Sequence, residues 1–309
     1  MDLQTRAHTR SNCIPQVNQQ NIPLAEVTLT RFARMRIADI PYAVNLSSRE
    51  QWDTPSSDFM RILRIDPSGS FVAFEGSSRV GIATTISFSR TLAWIGNVIV
   101  DKKHRGMRIG QGLMNHAINH LTKRHIRHIG LYCFEDNVEF YRKLGFEGET
   151  RFVRLRRPRG PPRTCENETE IRPSLSQVMS MDRTAFGADR SVLIRSWIDE
   201  NSGTYFGFRH KMRSGFLLVK KYSHMFDFGP GAAFGTDEID LRKLLAVSLA
   251  NTWKRPIEAS CLILNQTMLN LLIANGFRKI NRGFRMYWNH SVKLGSDSSA
   301  ILLGFPDKG

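Results

Sequence analysis

Cysteine is scarce in this sequence, and its pattern excludes two common kinds of site. The four cysteines are widely separated: Cys13, Cys133, Cys165 and Cys261. Because no two form a C-x-x-C pair, neither a structural zinc site nor a disulfide framework is indicated, and a reducing cytoplasm fits. His116 and His120 have the four-residue spacing of helical metal ligands, but no third ligand accompanies them. We therefore expect a cytoplasmic protein without a metal.

Long apolar runs and acidic side chains are also in short supply. No stretch of 18 or more apolar residues occurs, and the N-terminal segment has no apolar core of the signal-peptide kind, so no membrane association is expected. The 309 residues include 44 Lys and Arg against 28 Asp and Glu, a formal net charge of +16. A positive field of this size favours polyanions, so a nucleic acid or an acidic protein is a candidate partner.

Two common nucleotide-binding fingerprints are missing as well. A dinucleotide site needs G-x-G-x-x-G directly after the first strand, with an acidic residue about 20 residues later. Gly106, Gly110 and Gly112 have a different spacing and lie in the middle of a domain. A P-loop needs a lysine followed by Ser or Thr after its glycines, and none stands there. These glycines therefore belong to neither fingerprint.

A strand, a basic turn with glycines and a helix do follow one another in mid-sequence. Residues 95–100 are apolar and β-branched like a buried strand, and the apolar residues of 113–121 recur on one helical face. Arg105, Gly106 and Arg108 lie between them. Glycine lets the backbone approach a ligand closely, the N–H groups at a helix start favour an anion, and arginine binds phosphate oxygens in pairs. The alternative is a tight connection with solvated arginines.

A second segment ends in Tyr-Arg-Lys-Leu-Gly-Phe at residues 141–146. Residues 130–134 are predicted to form a short strand, and the Asp and Asn of 135–137 favour a helix start. Gly145 suits the end of that helix. A phenol has a basicity comparable to that of a thiolate leaving group, so Tyr141 is a candidate acid. The alternative is a tyrosine that only packs against its helix.

Together the two segments resemble the motifs of the GNAT N-acetyltransferases. The family's loop reads Q/R-x-x-G-x-G/A, and residues 105–110 match it except that Arg108 replaces the middle glycine. The resemblance implies acetyl-CoA as cosubstrate, with its pyrophosphate on the loop amides and its pantetheine arm along the preceding strand. The implied cofactor-binding residues are Val98, Ile99, Val100, Arg105, Gly106, Met107, Arg108, Ile109, Gly110, Gln111 and Asn137. For Asn137, helix capping is the alternative role.

The same resemblance implies roles at the reaction centre. Tyr141 would protonate the CoA thiolate, and the backbone N–H of Val98 would polarise the thioester carbonyl. Many GNAT proteins carry a carboxylate on the strand before the loop, where it deprotonates the amine. Here the polar residue nearest that place is Asn97, which can hold a water but cannot accept a proton at neutral pH.

The general base and the acceptor pocket stay open at this point. Candidate bases without selective spacing are Asp53, Asp58, Glu135 and Asp136, and a water chain is a further alternative. Trp52, Asp53 and Trp94 are candidates for binding an amine acceptor, although core packing is the more frequent role of tryptophan.

The predicted element order is a mixed α/β arrangement in two parts. Between residues 29 and 157 we expect a strand, two helices, three antiparallel strands, the loop, a helix, a strand, a helix and a strand, which matches the GNAT fold. Residues 1–28 are polar and predicted to be disordered. A Pro/Arg linker follows at residues 158–167, either as a stiff solvated connector or as a polyanion contact, and residues 168–309 form a second domain.

The second domain resembles the first only weakly. Leu272 stands where the second motif would have a tyrosine. We predict one helical segment over residues 182–197 and a strand that ends at residues 227–230, with glycines of a lost phosphate loop at 229–235. The acidic residues that follow would repel phosphate. We therefore expect a degenerate GNAT-like domain without its own acetyl-CoA site, an organisation that resembles the tandem GNAT proteins of the YitH type.

Two functions follow from these patterns. The first is an N-acetyltransferase that acts on a small-molecule or peptide amine by direct attack. The alternative is a catalytically weak GNAT-fold regulatory protein that contacts a polyanion. The substituted loop glycine, the strand without a carboxylate and the high positive charge motivate this alternative.

Overall fold

The first half of the chain alternates strands and helices around a mixed sheet. A computed structural model describes residues 29–52, 54–162, 172–200, 202–289 and 292–304. The elements of the first half are β1 (Arg31–Arg34), α1 (Ile40–Arg49), α2 (Ser56–Ile65), β2 (Phe71–Glu75), β3 (Ser78–Ser87), β4 (Leu92–Val100), α3 (Ile109–Lys123), β5 (His128–Phe134), α4 (Val138–Arg142) and β6 (Phe146–Arg157). This is the predicted order, and the expected mixed α/β fold is confirmed.

The second half repeats much of this order. Its elements are α5 (Leu175–Phe186), α6 (Ser191–Asp199), β7 (Gly203–His210), β8 (Arg213–Lys221), β9 (Phe226–Phe234), α7 (Glu238–Ala250), β10 (Ile257–Leu262), α8 (Gln266–Ala274), β11 (Arg278–Trp288) and β12 (Ala300–Leu302). The predicted disordered tail and residues 163–167 of the expected linker lie outside the described residues.

Three predictions for the second half were wrong or incomplete. The helical segment expected over residues 182–197 is two helices, because the chain turns at Gly187, where φ is 87° and a Cβ would lie 2.4 Å from the backbone of Gly295. The strand expected to end at Pro230 continues through it to Phe234, so the glycines of residues 229–234 belong to β9. Strands β7 and β12 were not predicted, since neither has a clear apolar alternation.

The two halves share one sheet and exchange strands within it. Over the described residues the sheet has 12 strands: eleven follow the order β1-β2-β3-β4-β5-β11-β6-β10-β9-β8-β7, and β12 pairs with β9. β11, from the second half, lies between β5 and β6 of the first half and is antiparallel to both. β6 in turn lies between β11 and β10. Each half therefore completes the sheet of the other.

The helices cover both faces of this sheet. α3 packs on the face that contains Cys133, and α1 and α2 pack on the opposite face against Val72 and Ile82. In the second half, α7 and α8 pack against Val153 and Leu155 of β6. Phe134 and Phe152 are both in register with Gly283, so their side chains project to the same side of the sheet. Because side chains alternate along a strand, their neighbours Cys133 and Val153 both project to the other side. One face of the sheet thus carries α3, α7 and α8.

Candidate active site

A bulge interrupts the strand that precedes the basic turn. The register between β3 and β4 shifts by one residue, so that Asn97 and Val98 together stand opposite Ala83. Asn97 is buried and has a φ of 49°, and its Nδ2 donates a hydrogen bond to Thr84 Oγ1 at 3.1 Å. A bulge of this kind redirects local main-chain groups out of the regular ladder. Both Asn97 and Val98 line a cavity.

That cavity opens because two parallel strands separate. β4 and β5 pair only through Leu92–Trp94 and His128–Gly130 in the described structure, and then diverge. The opening has a volume of about 1040 Å³. Residues 95–100 of β4 line one side, and Tyr132–Phe134 of β5 line the other. Where paired strands diverge, their N–H and C=O groups no longer bond each other. A long, narrow ligand that enters the cleft can bond these groups instead.

The basic turn places the start of α3 at one end of this cavity. Gly106 has a φ of 82° and Arg108 a φ of 58°, so both are in the left-handed region. The position where an arginine replaces the family's glycine is thus one that glycine adopts without strain, and the arginine costs about 1 kcal/mol there. Ile109, Gly110 and Gln111 form the first turn of α3 and line the cavity. Their N–H groups lack intrahelical acceptors and favour an anion.

The two arginines of the turn have different surroundings. Arg105 donates from Nε to the carbonyl oxygen of Val100 at 3.1 Å, and its Nη2 lies 2.6 Å from Oε1 of Glu50 at the end of α1. Arg105 therefore fixes the turn to β4 and α1. Arg108 is exposed and has no ion-pair partner within the described part of the chain, which leaves its charge available to a ligand.

Nearly all of the predicted cofactor residues come together here. Every one of them lines the cavity except Met107, which is 59% exposed. Asn137 lines it too, and although it occupies the N-cap position of α4, its side chain makes no capping hydrogen bond. The capping role that the sequence left open is therefore not used.

Tyr141 lies on α4 at the same cavity. Its ring packs edge-on against Phe140 at 5.0 Å and against Phe146 at 6.0 Å between centroids. Burial raises the pKa of the Tyr141 phenol above its usual value, and the nearby Cys133 sulfur raises it further. The phenol therefore keeps its proton through the physiological pH range. Burial also raises the pKa of the Cys133 thiol, to about 12.

The turn after Tyr141 is held by a strand from the second half. The indole N–H of Trp288 on β11 donates to the carbonyl oxygen of Leu144 at 3.1 Å. The backbone N–H of Asn289 donates to the carbonyl oxygen of Gly145 at 2.8 Å. These bonds satisfy two carbonyl groups at the end of the short helix, which otherwise have no helical partner. The position of Tyr141 consequently depends on the strand exchange.

The predicted acceptor-binding residues do not all lie at the cavity. Trp52, just after α1, lines the cavity. Trp94 does not: it is fully buried and packs against Tyr132, with ring centroids 4.7 Å apart, and against Tyr287. Its large apolar ring packs against the sheet where β4 and β5 still pair. We therefore correct its predicted role from acceptor binding to core packing. Asp53 lies outside the described residues.

Several lining residues were missed because they come from distant parts of the chain. The second half contributes His224, Met225, Glu258, Ile280 and Asn281, and β6 contributes Arg154 and Arg156. No local pattern marks these residues. Only the exchange of β6 and β11 brings them to the opening between β4 and β5.

One candidate base is excluded by its partners. Asp58 is 2% exposed, pairs with Arg61 and accepts a hydrogen bond from the hydroxyl of Tyr222 at 3.1 Å. Tyr222 begins the tight turn that carries His224 and Met225 into the cavity. Asp58 therefore anchors this turn, and it does not line the cavity.

The remaining candidate bases divide by location. Glu135 and Asp136 are exposed and do not line the cavity. His104, His224, Glu50 and Glu258 do line it. Among these, Glu50 is paired with Arg105 and Glu258 with Arg154, so the imidazole rings of His104 and His224 remain as candidate bases.

The comparisons with known proteins agree with this geometry. The acetyltransferase (GNAT) family profile matches residues 35–146, and an acetyltransferase (GNAT) domain profile matches residues 178–299. The chain belongs to the GNAT acetyltransferase family. Both halves are thus GNAT domains, as the tandem organisation predicted.

Individual relatives cover less of the chain. The histone acetyltransferase TAP1 of Glycine max is 37% identical over 70 residues, which are 23% of this chain and 30% of that protein. An uncharacterized N-acetyltransferase of Methanocaldococcus jannaschii is 34% identical over 98 residues, 29% of this chain and 43% of that protein. The matched segments thus span less than half the length of these curated relatives.

Solved structures extend the match in fold to the whole chain. A protein of Pyrococcus horikoshii that is provisionally assigned as an acetyltransferase has a TM-score of 0.74 and 19% identity, and the match covers 98% of this chain and 99% of that one. A GCN5-related N-acetyltransferase from Sphaerobacter thermophilus has a TM-score of 0.62 and 13% identity over 86% of this chain and 98% of that one. At these identities the likeness concerns the fold.

The two spaced histidines of α3 have structural neighbours. His116 stacks on Phe32 with ring centroids 4.6 Å apart, and His120 lies 3.7 Å from Asp66. Within the described residues, no group of three or more His, Cys, Asp or Glu side chains could hold a metal ion. Across the same residues, no helix combines the length and apolar character needed to span a bilayer.

Proposed function

We propose that this protein transfers an acetyl group from acetyl-CoA to a primary amine by direct attack. The observation that carries the proposal is the cleft between β4 and β5, with the bulge at Asn97 and Val98 on one wall and Tyr141 on the other. GNAT proteins typically use acetyl-CoA, and the residues that line the cleft support this choice. A narrow arm can run along residues 98–100, and the pyrophosphate can meet the first turn of α3.

Each step of the transfer has a candidate group. The amine nitrogen attacks the thioester carbon, and the N–H of Val98 stabilises the developing oxyanion. The C–S bond then breaks, and Tyr141 donates its proton to the leaving thiolate. The amine proton leaves through a water held near Asn97 or through one of the cavity histidines, His104 and His224. Direct attack is favoured over a covalent intermediate on Cys133, because the raised pKa of this thiol keeps it neutral and therefore weakly nucleophilic.

The proposal is tested first by binding. Saturating acetyl-CoA should raise the melting temperature of the wild type, since a ligand that binds only the folded state stabilises it. Arg105→Ala and Gly110→Asp should abolish this shift. Arg242→Ala is the matched control, because Arg242 is an exposed arginine on α7 whose one ion pair among the described residues is with Glu238 of its own helix. An unchanged melting temperature in the wild type would contradict the proposal.

Turnover is the second test. Release of free CoA should be measured with polyamines, amino acids, aminoglycosides and lysine peptides as acceptors. Turnover of any of them supports the transferase. Acetyl-CoA binding without turnover, together with retention on nucleic acid that weakens with salt, would favour the regulatory alternative.

A further inference from the structure

The face of the sheet opposite α3 carries charged side chains at the mouth of the cavity. Tyr132 and Phe134 project to this face, because Cys133 between them projects toward α3. Phe152 stands in register with Phe134 through Gly283, so Phe152, Arg154 and Arg156 share that face by alternation along β6. The cavity thus passes through the sheet and emerges beside Arg154 and Arg156, away from the loop that would hold the CoA phosphates.

A row of charges crosses five strands beside this mouth, and two of its members, Arg156 and Glu258, line the cavity. Arg278 on β11 stands opposite Arg156 on β6, Arg156 opposite Glu258, Glu258 opposite Asp227, and Asp227 opposite Lys220. Residues in register across a sheet have neighbouring side chains on the same face. The row therefore contains three cations and two anions, and Arg154 adds a fourth cation from the adjacent position.

Both carboxylates in the row are already paired. Glu258 lies 2.6 Å from Nη2 of Arg154, and Asp227 lies 2.7 Å from Nζ of Lys220 and 3.2 Å from Arg154. Arg154, Lys220 and Asp227 are all buried, so these pairs hold one another in place. Arg154 and Lys220 thus already balance the negative charges of both carboxylates, so little negative charge remains to balance Arg156 and Arg278.

The two outer arginines, Arg156 and Arg278, have no close carboxylate partner among the described residues. Arg156 has only a 3.8 Å contact with Glu258 and its side chain is 50% exposed. Arg278 is exposed and has no ion-pair partner in the described ranges. Like charges directly opposite one another destabilise a sheet, and an anion between them removes the repulsion. Two guanidinium groups side by side match the paired oxygens of a carboxylate or a phosphate.

From this arrangement we infer that the acceptor is an amine that carries an anionic group, and that Arg156 and Arg278 bind that group. The inference rests on the proposed acetyl transfer and specifies its substrate class. The shared chemistry is an oxyanion with two or more terminal oxygens, either a carboxylate or a phosphate monoester. The rest of the acceptor would extend past Asn281 and Glu258 toward the opening between β4 and β5.

Paired acceptors test the inference. Amino acids are compared with their carboxamides, and phosphoethanolamine with ethanolamine, so that each pair differs only in the anionic group. We expect kcat/KM to be at least 10-fold higher for one or both anionic members, and the better pair identifies the oxyanion. Arg156→Gln and Arg278→Gln should each remove most of that preference by raising the acceptor KM, with the KM for acetyl-CoA unchanged.

Arg282→Gln is the matched control. Arg282 lies on the same strand and is exposed, but its register partner Val153 faces α7 and α8. The control should keep the wild-type preference. Equal kcat/KM for the charged and neutral members in the wild type would overturn the inference while leaving acetyl transfer intact. A rise in the acetyl-CoA KM in Arg156→Gln would also overturn it, because the arginine would then bind a CoA phosphate.

A binding measurement separates the inference from acetyl transfer itself. Succinate and inorganic phosphate carry the anion but no amine. At millimolar concentration, one of them should raise the melting temperature of the wild type and of Arg282→Gln but not of Arg156→Gln. That pattern without any turnover would reject the transferase and keep the anion site. No difference among the three proteins would reject the anion site.

Discussion

The two halves of the chain differ most where a strand passes into the helix that follows it. In the first half, the connection from β4 to α3 spans residues 101–108, is basic, and ends in an uncapped helix start. In the second half, only three residues, 235–237, join β9 to α7. There Asp237 and Asp240 cap the helix reciprocally, and Arg213 pairs with Asp240 at 2.9 Å. Two N–H groups at this helix start, those of Asp237 and Asp240, thus already donate to carboxylates of the protein, and these carboxylates would also repel a phosphate.

The cleft beside this connection shows the same contrast. β9 and β10 also pair through only three residues each before they diverge, and β8 and β9 contain a bulge near Gly229, as β3 and β4 do near Asn97. In the second half, however, β12 fills the gap. It pairs with β9, and Leu303 donates its N–H to the carbonyl oxygen of Ser260 on β10 at 2.8 Å. A Cβ on Gly229 would lie 1.9 Å from the carbonyl oxygen of Leu303.

The difference teaches that the same fold leaves a cleft open in one half and closes it with its own chain in the other. We infer that the first half alone binds acetyl-CoA, while the second half completes the sheet with β11 and walls the acceptor side. Three substitutions and one labelling experiment test this division, and they are given from the largest expected effect to the smallest.

Tyr141→Phe tests the chemistry of the open half. We expect kcat to fall by about 10²- to 10⁴-fold, because the leaving thiolate loses its proton donor. The KM for acetyl-CoA should change little, since the ring still fills its place against Phe140 and Phe146. Tyr205→Phe, at a hydroxyl of the second half that bonds Pro173, is the control. An unchanged kcat in Tyr141→Phe would remove this residue from the mechanism.

Trp288→Phe tests whether the second half positions the first. Loss of the indole N–H leaves the carbonyl oxygen of Leu144 without its donor, and the end of α4 should become less ordered. We expect kcat to fall by about 10-fold. The lost hydrogen bond should lower the free energy of unfolding by about 1 kcal/mol, and partial unfolding of that size would not account for the fall in kcat. Trp253→Phe, at a partly exposed tryptophan of the second half, should leave kcat unaltered. Equal kcat values in the two variants would count against positioning through β11.

Alkylation compares a buried thiol in each half. Burial raises the pKa of both Cys133 and Cys261 to about 12, so at pH 8 only roughly 1 in 10⁴ of either is thiolate. Because the pKa is raised, the reaction of Cys133 with iodoacetamide should still accelerate between pH 9 and 11, where an ordinary cysteine levels off. Acetyl-CoA should slow the alkylation of Cys133, which lines the cavity. It should not affect Cys261, which contacts the main chain of Ile301 in β12.

Peptide-resolved mass spectrometry measures each thiol separately. Protection of Cys261 by acetyl-CoA would place a ligand in the half that β12 closes, and would contradict the division. A Cys133 rate that levels off near pH 9 would contradict the raised pKa.

Arg108→Gly restores the glycine of the family's loop. We expect the free energy of unfolding to increase by about 0.5 to 1 kcal/mol, since the left-handed backbone no longer opposes a side chain. Loss of one exposed charge should weaken acetyl-CoA binding by only a few fold. Denaturant unfolding and the Kd for acetyl-CoA measure the two effects. A destabilised variant would indicate that the arginine side chain has a structural role.

Much of the first half could be predicted from the sequence, because its signals are local. Strand alternation, the basic turn and the ending at Gly145 and Phe146 each lie within a few residues of one another. Nearly all of the predicted cofactor residues line one cavity. Trp94 was misassigned because an aromatic residue next to a site has the same sequence signal whether it faces the cleft or the core.

The acceptor side could not be predicted, because it depends on contacts between distant segments. His224, Glu258 and Asn281 reach the cavity only after β6 and β11 exchange places. The closing strand β12 is three residues long and carries no pattern of its own. Asp58 was a plausible base by sequence, and its role as an anchor became visible only with Tyr222, 164 residues away.

The number of acetyl-CoA molecules bound per chain tests this division most directly. Isothermal titration of the full chain with acetyl-CoA should give a stoichiometry of one, and Gly110→Asp should reduce it to none. A stoichiometry of two, or a single site that survives Gly110→Asp, would contradict the assignment of the cofactor to the cleft between β4 and β5.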